Sequence, residues 1–200
     1  MPCGTGPQVN SALAVAPKEI AMVMKVLFFD TCAVLKYWLN EPGHEVVRWI
    51  CDPTTKVLNG LSFSTSEQVE KEFHDVIDRK AKNDEISLNY ALSIKDRAKP
   101  YFDTVFHIRD SKPVPGFKFG KDTNETEIIS KYNLNPKKSS GDAKIISCVV
   151  NYLRFLGGSS IPQVVTSDQK FQKIILGEGY GIIDPEKQTR RDIELYLSNL

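Results

Sequence analysis

Residues 26–35 read VLFFDTCAVL: four apolar residues, an acid, a hydroxyl, then apolar residues at helical spacing. A run of this kind, free of charge from Val26 to Phe29, is the signature of a strand buried on both faces. The strand is expected over Val23–Phe29, and a helix over Thr31–Leu39 with Ala33, Val34, Tyr37 and Trp38 on one face. A second junction of the same type, VVTSDQKF at 164–171, takes a strand at Gln163–Thr166 into a helix at Gln169–Leu176. Asp30 and Asp168 therefore stand at the carboxyl ends of two strands. In an open α/β sheet those ends face one crevice, where ligands bind.

The rest of the chain alternates in the same way. A short helix around Val46–Ile50 ends at Asp52-Pro53, and Lys56–Ser64 reads as a second strand. Ser66 is placed to cap a helix reaching about Lys80, with Val69, Phe73, Val76 and Ile77 inward. Residues 84–99 read as a helix closed by Pro100, and Thr104–Ile108 as a third strand. A short helix around Glu125–Tyr132 and an amphipathic one from Asp142 to about Phe155 follow. A last strand at Gly181–Ile183 and a helix at Asp192–Leu200 complete the pattern. Strands joined by helices imply a three-layer α/β/α sandwich with a mainly parallel central sheet.

With 200 residues, 41% of them hydrophobic, the chain can bury one core, so 22–200 is read as a single domain. Residues 1–21 form an N-terminal extension, whether an ordered arm, a disordered leader or upstream sequence. A formal charge of +1 argues against a strongly basic coat for nucleic acid. Cys3, Cys32, Cys51 and Cys148 show no paired spacing and suit reduced thiols in the cytoplasm. No apolar run approaches a membrane span, so no membrane partner is expected. His44, His74 and His107 have no metal-ligand spacing, and no glycine-rich phosphate loop is present.

Two further acids lie in helical segments between the junctions. Glu72 falls in STSEQVEKEF (64–73) and Asp142 in SSGDAKIISCVV (139–150). An aspartate at a helix start is a good cap, worth about 1 kcal/mol, and capping alone accounts for Asp30, Asp142 and Asp168 taken singly. The set of four is different. Carboxylates meeting in one crevice repel unless a hard cation such as Mg²⁺ or Mn²⁺ lies between them. The hydroxyls of Thr31, Thr166 and Ser167 are suited to orienting a carboxylate or a metal-bound water.

In this order the four segments resemble the PIN-domain nucleases. The family has a hydrophobic strand ending in Asp (VLFFDTCAVL), then a Ser/Thr-bearing strand end with a Glu-carrying helix (SFSTSEQVEKEF). An Asp at the start of an amphipathic helix (GDAKIISCVV) and a strand ending in T-x-D-x-x-F (166–171) follow. The likeness runs from about 23 to 184. It implies a PIN-like fold and a Mg²⁺- or Mn²⁺-dependent ribonuclease with Asp30, Glu72, Asp142 and Asp168 as catalytic acids. Asp30, Asp142 and Asp168 would be the metal ligands. Glu70 competes with Glu72, whose distance from Ser66 and place before Phe73 fit the family better. Gln169 and Lys170 stand where some members carry a further acid.

RNA is the substrate the resemblance implies, with Lys138, Lys144 and Lys170 as candidate phosphate contacts. The loop 112–121, which interleaves Phe117 and Phe119 with Lys118 and Lys121, is a candidate base-stacking surface. Toxin members pair with a small antitoxin protein, and homodimers are frequent; Trp38, Trp49 and the last helix are candidate interface elements. The alternative is a non-catalytic PIN-like module that binds RNA or protein. A phosphatase of the haloacid-dehalogenase type expects a second Asp two residues after the first, where this chain has Cys32.

Overall fold

The structure is a computed structural model and describes residues 25–52, 54–55, 61–104, 123–135, 140–155 and 162–199. Four strands, β1 (Lys25–Phe29), β2 (Leu61–Ser64), β3 (Pro162–Val165) and β4 (Gly181–Ile183), form one sheet in the order β2-β1-β3-β4. Every pairing is parallel, with Phe28 opposite Ser64 on one side and Val164 on the other. Val26–Phe29 are buried, as an uncharged central strand must be. The chain leaves β1 toward β2 on one side and returns to β3 on the other. The β1–β3 boundary is thus the switch point of the sheet, the usual place for a ligand crevice.

Helices α1 (Thr31–Trp38), α2 (His44–Ile50), α3 (Glu67–Lys82) and α4 (Leu88–Thr104) come before the second half of the sheet. Helices α5 (Thr123–Lys131), α6 (Ser140–Phe155), α7 (Gln169–Gly177) and α8 (Arg190–Ser198) complete the described elements. The architecture is mixed α/β around an all-parallel sheet. Among the described residues no helix is long and apolar enough to cross a membrane.

Helix α1 is buried almost all round, and even Lys36 is enclosed, its ammonium 2.6 Å from Glu186 Oε1. The α1–α2 connection turns at Gly43, whose φ of +84° few side chains adopt. A Cβ there would also lie 2.7 Å from the carbonyl oxygen of Pro185. Helix α3 packs on α1, α4 and α6 through Val69, Phe73 and Ile77. The Phe73 ring is fully buried, and its centroid lies 5.5 Å from that of Phe102. Phe73→Ala is expected to cost about 3–5 kcal/mol, the usual range for deleting a buried aromatic side chain. Urea unfolding measures it, and a loss below about 1 kcal/mol would contradict this packing.

Three boundaries differ from those expected. Pro100 does not close α4, which runs through it to Thr104; Phe102, packed on Phe73 and fully buried, carries the helix past the hydrogen bond a proline forfeits. Thr104 is accordingly helical, not the start of a strand. Helix α8 begins at Arg190, because Thr189 caps it and Asp192 closes the reciprocal capping box. Helix α6 begins at Ser140, so Asp142 is its third residue and not its cap. Residues 1–24, 53, 56–60, 105–122, 136–139, 156–161 and 200 lie outside the described residues. With them lie the N-terminal extension, the first residues of the strands expected at Val23–Phe29 and Lys56–Ser64, residues 105–108 of the strand expected from Thr104, the loop at 112–121 and Lys138.

Candidate active site

The carboxyl ends of β1, β2 and β3 converge as the strand-to-acid junctions require. Asp30 caps α1, its Oδ1 accepting the Thr31 N–H at 2.6 Å. Its Oδ2 accepts the Thr166 hydroxyl at 2.8 Å and the Cys32 thiol at 3.3 Å. Its own N–H donates to Val165 O, which continues the β1–β3 ladder by one residue. Asp30 is only 6% exposed. Burial pushes its carboxyl up to about 6; the three hydrogen bonds oppose that rise, and the charge of Glu72 adds to it.

Glu72 comes from the second turn of α3. Its Oε2 accepts the Thr31 hydroxyl at 2.8 Å, and its Oε1 the Gln68 amide at 3.0 Å. It fits against α6 because residue 141 is glycine: a Cβ there would lie 1.9 Å from Glu72 Oε1. Glu70 sits beside His74 instead, at 3.9 Å. Asp142 is half-buried in the first turn of α6. Burial raises its pKa, as do the neighbouring charges of Glu72 and Asp168, while Lys170 lowers it. Asp168 caps α7, its Oδ1 accepting the Lys170 and Phe171 N–H groups at 2.8 and 2.9 Å.

Thr166 is the hinge of the set. Its hydroxyl donates to Asp30 and accepts the Asp168 N–H at 3.1 Å, so one fully buried oxygen ties the β1 junction to the β3 junction. Ser167 contributes a backbone N–H, 3.2 Å from Cys32 Sγ. Thr31 joins Asp30 to Glu72 through its backbone and its hydroxyl. Lys144 is exposed at the fifth residue of α6, and Lys170 is close enough to Asp142 to act on its charge.

Two residues at these junctions escaped the reading of the sequence. Cys32, read from the sequence only as a reduced thiol, is a free cysteine whose sulfur meets Asp30, Thr166 and the Ser167 N–H together. Burial pushes its pKa up, so it stays a thiol and donates to the carboxylate. Asp184 follows β4 in a third strand-to-acid junction, a signal visible in GIIDPEK. Its carboxylate accepts from Gln172 at 2.8 Å and the Glu186 N–H at 3.1 Å, and pairs with Lys187 at 3.3 Å. Burial works against its charge, but these partners outweigh it and hold its pKa down. Asp184 is thereby committed to closing the 184–188 turn.

The donor set is all oxygen and acidic, which suits a hard divalent cation and not zinc. Among the described residues, however, no three His, Cys, Asp or Glu side chains converge closely enough to make a ready cage. Asp168 is folded back onto its own helix, and Asp30 is clothed by three donors. Both arrangements relieve the repulsion of carboxylates sharing a crevice. Comparison with protein-family models, with curated proteins and with solved structures returns no match.

Proposed function

We propose that this protein is a Mg²⁺- or Mn²⁺-dependent ribonuclease with a three-layer, PIN-like architecture. One observation carries the reading: acids from four separate segments share one electrostatic field. Asp30 feels Glu72, and Asp142 feels both Glu72 and Asp168. Helix capping explains Asp30 and Asp168 one at a time but gives no reason for Glu72 and Asp142 to join them. Negative charge gathered at a switch-point crevice is a poor choice for stability and a good one for a cation.

Asp30 and Asp142 would hold the cation, with Asp168 completing the set directly or through water. Bound there, Mg²⁺ or Mn²⁺ supplies a Lewis acid that makes a water nucleophilic at neutral pH and offsets charge on phosphoryl oxygens. The chain's own contribution is positioning. Thr166 and Cys32 fix Asp30 Oδ2, while Thr31 and Gln68 fix the two oxygens of Glu72. Glu72 is the residue proposed to orient the attacking water. Lys170, with Lys144 and Lys138, is proposed to meet the phosphates of a single-stranded RNA.

The test is a cation titration followed by a cleavage assay. Binding that requires the folded site should raise the melting temperature, with stabilisation of about 2.7 kcal/mol at a hundred times Kd. Single-stranded RNA should be cut in Mn²⁺ and left intact in chelator. A melting temperature indifferent to both cations, together with intact RNA, would remove the proposal.

A further inference from the structure

A hollow unrelated to the carboxylates lies where the end of α1 meets α4. It has a volume of about 670 Å³, within the range of small-ligand sites. Helix α4 presents Tyr90, Ile94, Arg97 and Tyr101 to it, positions spaced 4, 3 and 4 apart that form one helical stripe. Tyr37 and Trp38 close it from α1, and Phe63 from β2. The rings stand edge to face: Tyr37–Trp38 and Trp38–Tyr101 centroids are both 5.1 Å apart, at 75° and 83°. Helix α1 begins at the acid site and ends here, about 10 Å further along its axis.

Three features separate this hollow from an ordinary core margin. Arg97 lies over the Trp38 ring at 5.3 Å and has no carboxylate partner among the described residues. Arg48, also on the wall, uses Nε on Tyr37 O at 2.9 Å and Nη2 on Asn40 at 3.2 Å, which leaves Nη1 to donate. The Trp38 indole N–H is buried with no acceptor among the described residues, a condition that native structures rarely leave without a reason. Asp52 stands at the rim, but its Oδ1 is taken up by the Thr54 N–H and hydroxyl at 2.8 and 2.7 Å.

We infer that this hollow binds a nucleotide, with the base against the part-exposed rings of Tyr37 and Tyr101, next to the buried Trp38, and the phosphate held by Arg97 and Arg48. Aromatic faces accept any base by stacking, and a guanidinium fork matches phosphate geometry. The same chemistry serves a free mononucleotide or one unit of an RNA strand. The site is separate from the carboxylates and does not depend on cleavage.

The chain has two tryptophans, so Trp49→Phe leaves Trp38 as the sole indole and as a reporter within the site. Adenosine monophosphate, added in chelator, should quench Trp38 emission saturably, and adenosine should bind at least about tenfold more weakly for want of phosphate. Arg97→Gln, at an exposed position, should weaken the nucleotide about tenfold without changing the melting temperature. A short oligoadenylate binding more tightly than the monophosphate marks a strand unit; one binding no more tightly marks a free nucleotide. Either result upholds the site. Absence of saturable quenching by both ligands overturns it, as does quenching that Arg97→Gln leaves unchanged. Trp38 emission that tracks protein concentration without nucleotide would assign the hollow to a second copy of the chain, and would also overturn it.

Discussion

Asp30→Asn is expected to lower metal-dependent RNA cleavage by at least about a hundredfold while making the folded protein more stable. The loss follows from the charge. Groups that merely support a metal ligand are worth 10–100-fold, so removal of a proposed ligand belongs at or beyond the top of that range. The gain follows from burial. The Asp30 carboxyl is raised to about 6 in the fold against 3.8 for a solvated aspartate. Between those two values the folded state holds a proton that the unfolded chain has released, so stability falls as pH rises through the window. Above pH 6 the penalty is complete, at about 3 kcal/mol. Asparagine is neutral throughout. Its oxygen can still accept the Thr31 N–H, and its amide can donate to Thr166 once that hydroxyl turns its proton toward Cys32 Sγ, 3.4 Å away, the Cys32 thiol giving up its bond to the carboxylate. Urea unfolding at pH 5 and pH 7 checks this: the wild type should lose stability across the interval and the variant should lose less. Cleavage by Asp30→Asn at the wild-type rate would end the catalytic proposal. A variant less stable than wild type at pH 7 would overturn the account of its burial.

Gly141→Ala separates the same two quantities from the other side of the crevice. Alanine is favoured over glycine by about 0.5–1 kcal/mol in a helix interior and by less at Gly141, the second residue of α6, so α6 itself should not lose. The new Cβ nevertheless falls 1.9 Å from Glu72 Oε1. The carboxylate is the far end of a flexible side chain and can swing away, but only by giving up Thr31 and Gln68, its two partners. Cleavage should drop about 10–100-fold, as for loss of a positioning contact, with the melting temperature equal to wild type or higher. Parallel measurement of kcat/KM and thermal unfolding decides it. Full activity in Gly141→Ala would show that Glu72 need not sit where it does.

Local chemistry made much of this legible in the sequence. The β1–α1 junction was readable because an uncharged strand and a capping aspartate are both properties of adjacent residues, and Ser66 announced α3 in the same way. What escaped depended on partners distant in sequence. Pro100 looked like a terminator because the propensity penalty is local, whereas the packing of Phe102 on Phe73 comes from another helix. Nothing near Cys32 in sequence points to its partners, because only the β1–β3 register brings the Ser167 N–H over the first turn of α1. Asp184 obeyed the same strand-to-acid rule as Asp30 and was passed over. Thr189 was hidden by Asp192, a conspicuous acid that turns out to be the third residue of its helix.

The tie between Asp30 and Thr166 spans 136 positions of sequence, and this sets a clock on the protein's manufacture. On a ribosome adding about 5–20 residues per second, Thr166 is made roughly 7–27 s after Asp30. Until then the segment bearing Asp30 has neither the Val165 carbonyl that extends β1 nor the hydroxyl that holds the carboxylate. Asp168 has not yet been made either. For a protein proposed to cut RNA, the template and the ribosome are the nearest targets throughout synthesis. Under that proposal, a site completed only by the last quarter of the chain would stay unformed while the machinery building the protein is its nearest target.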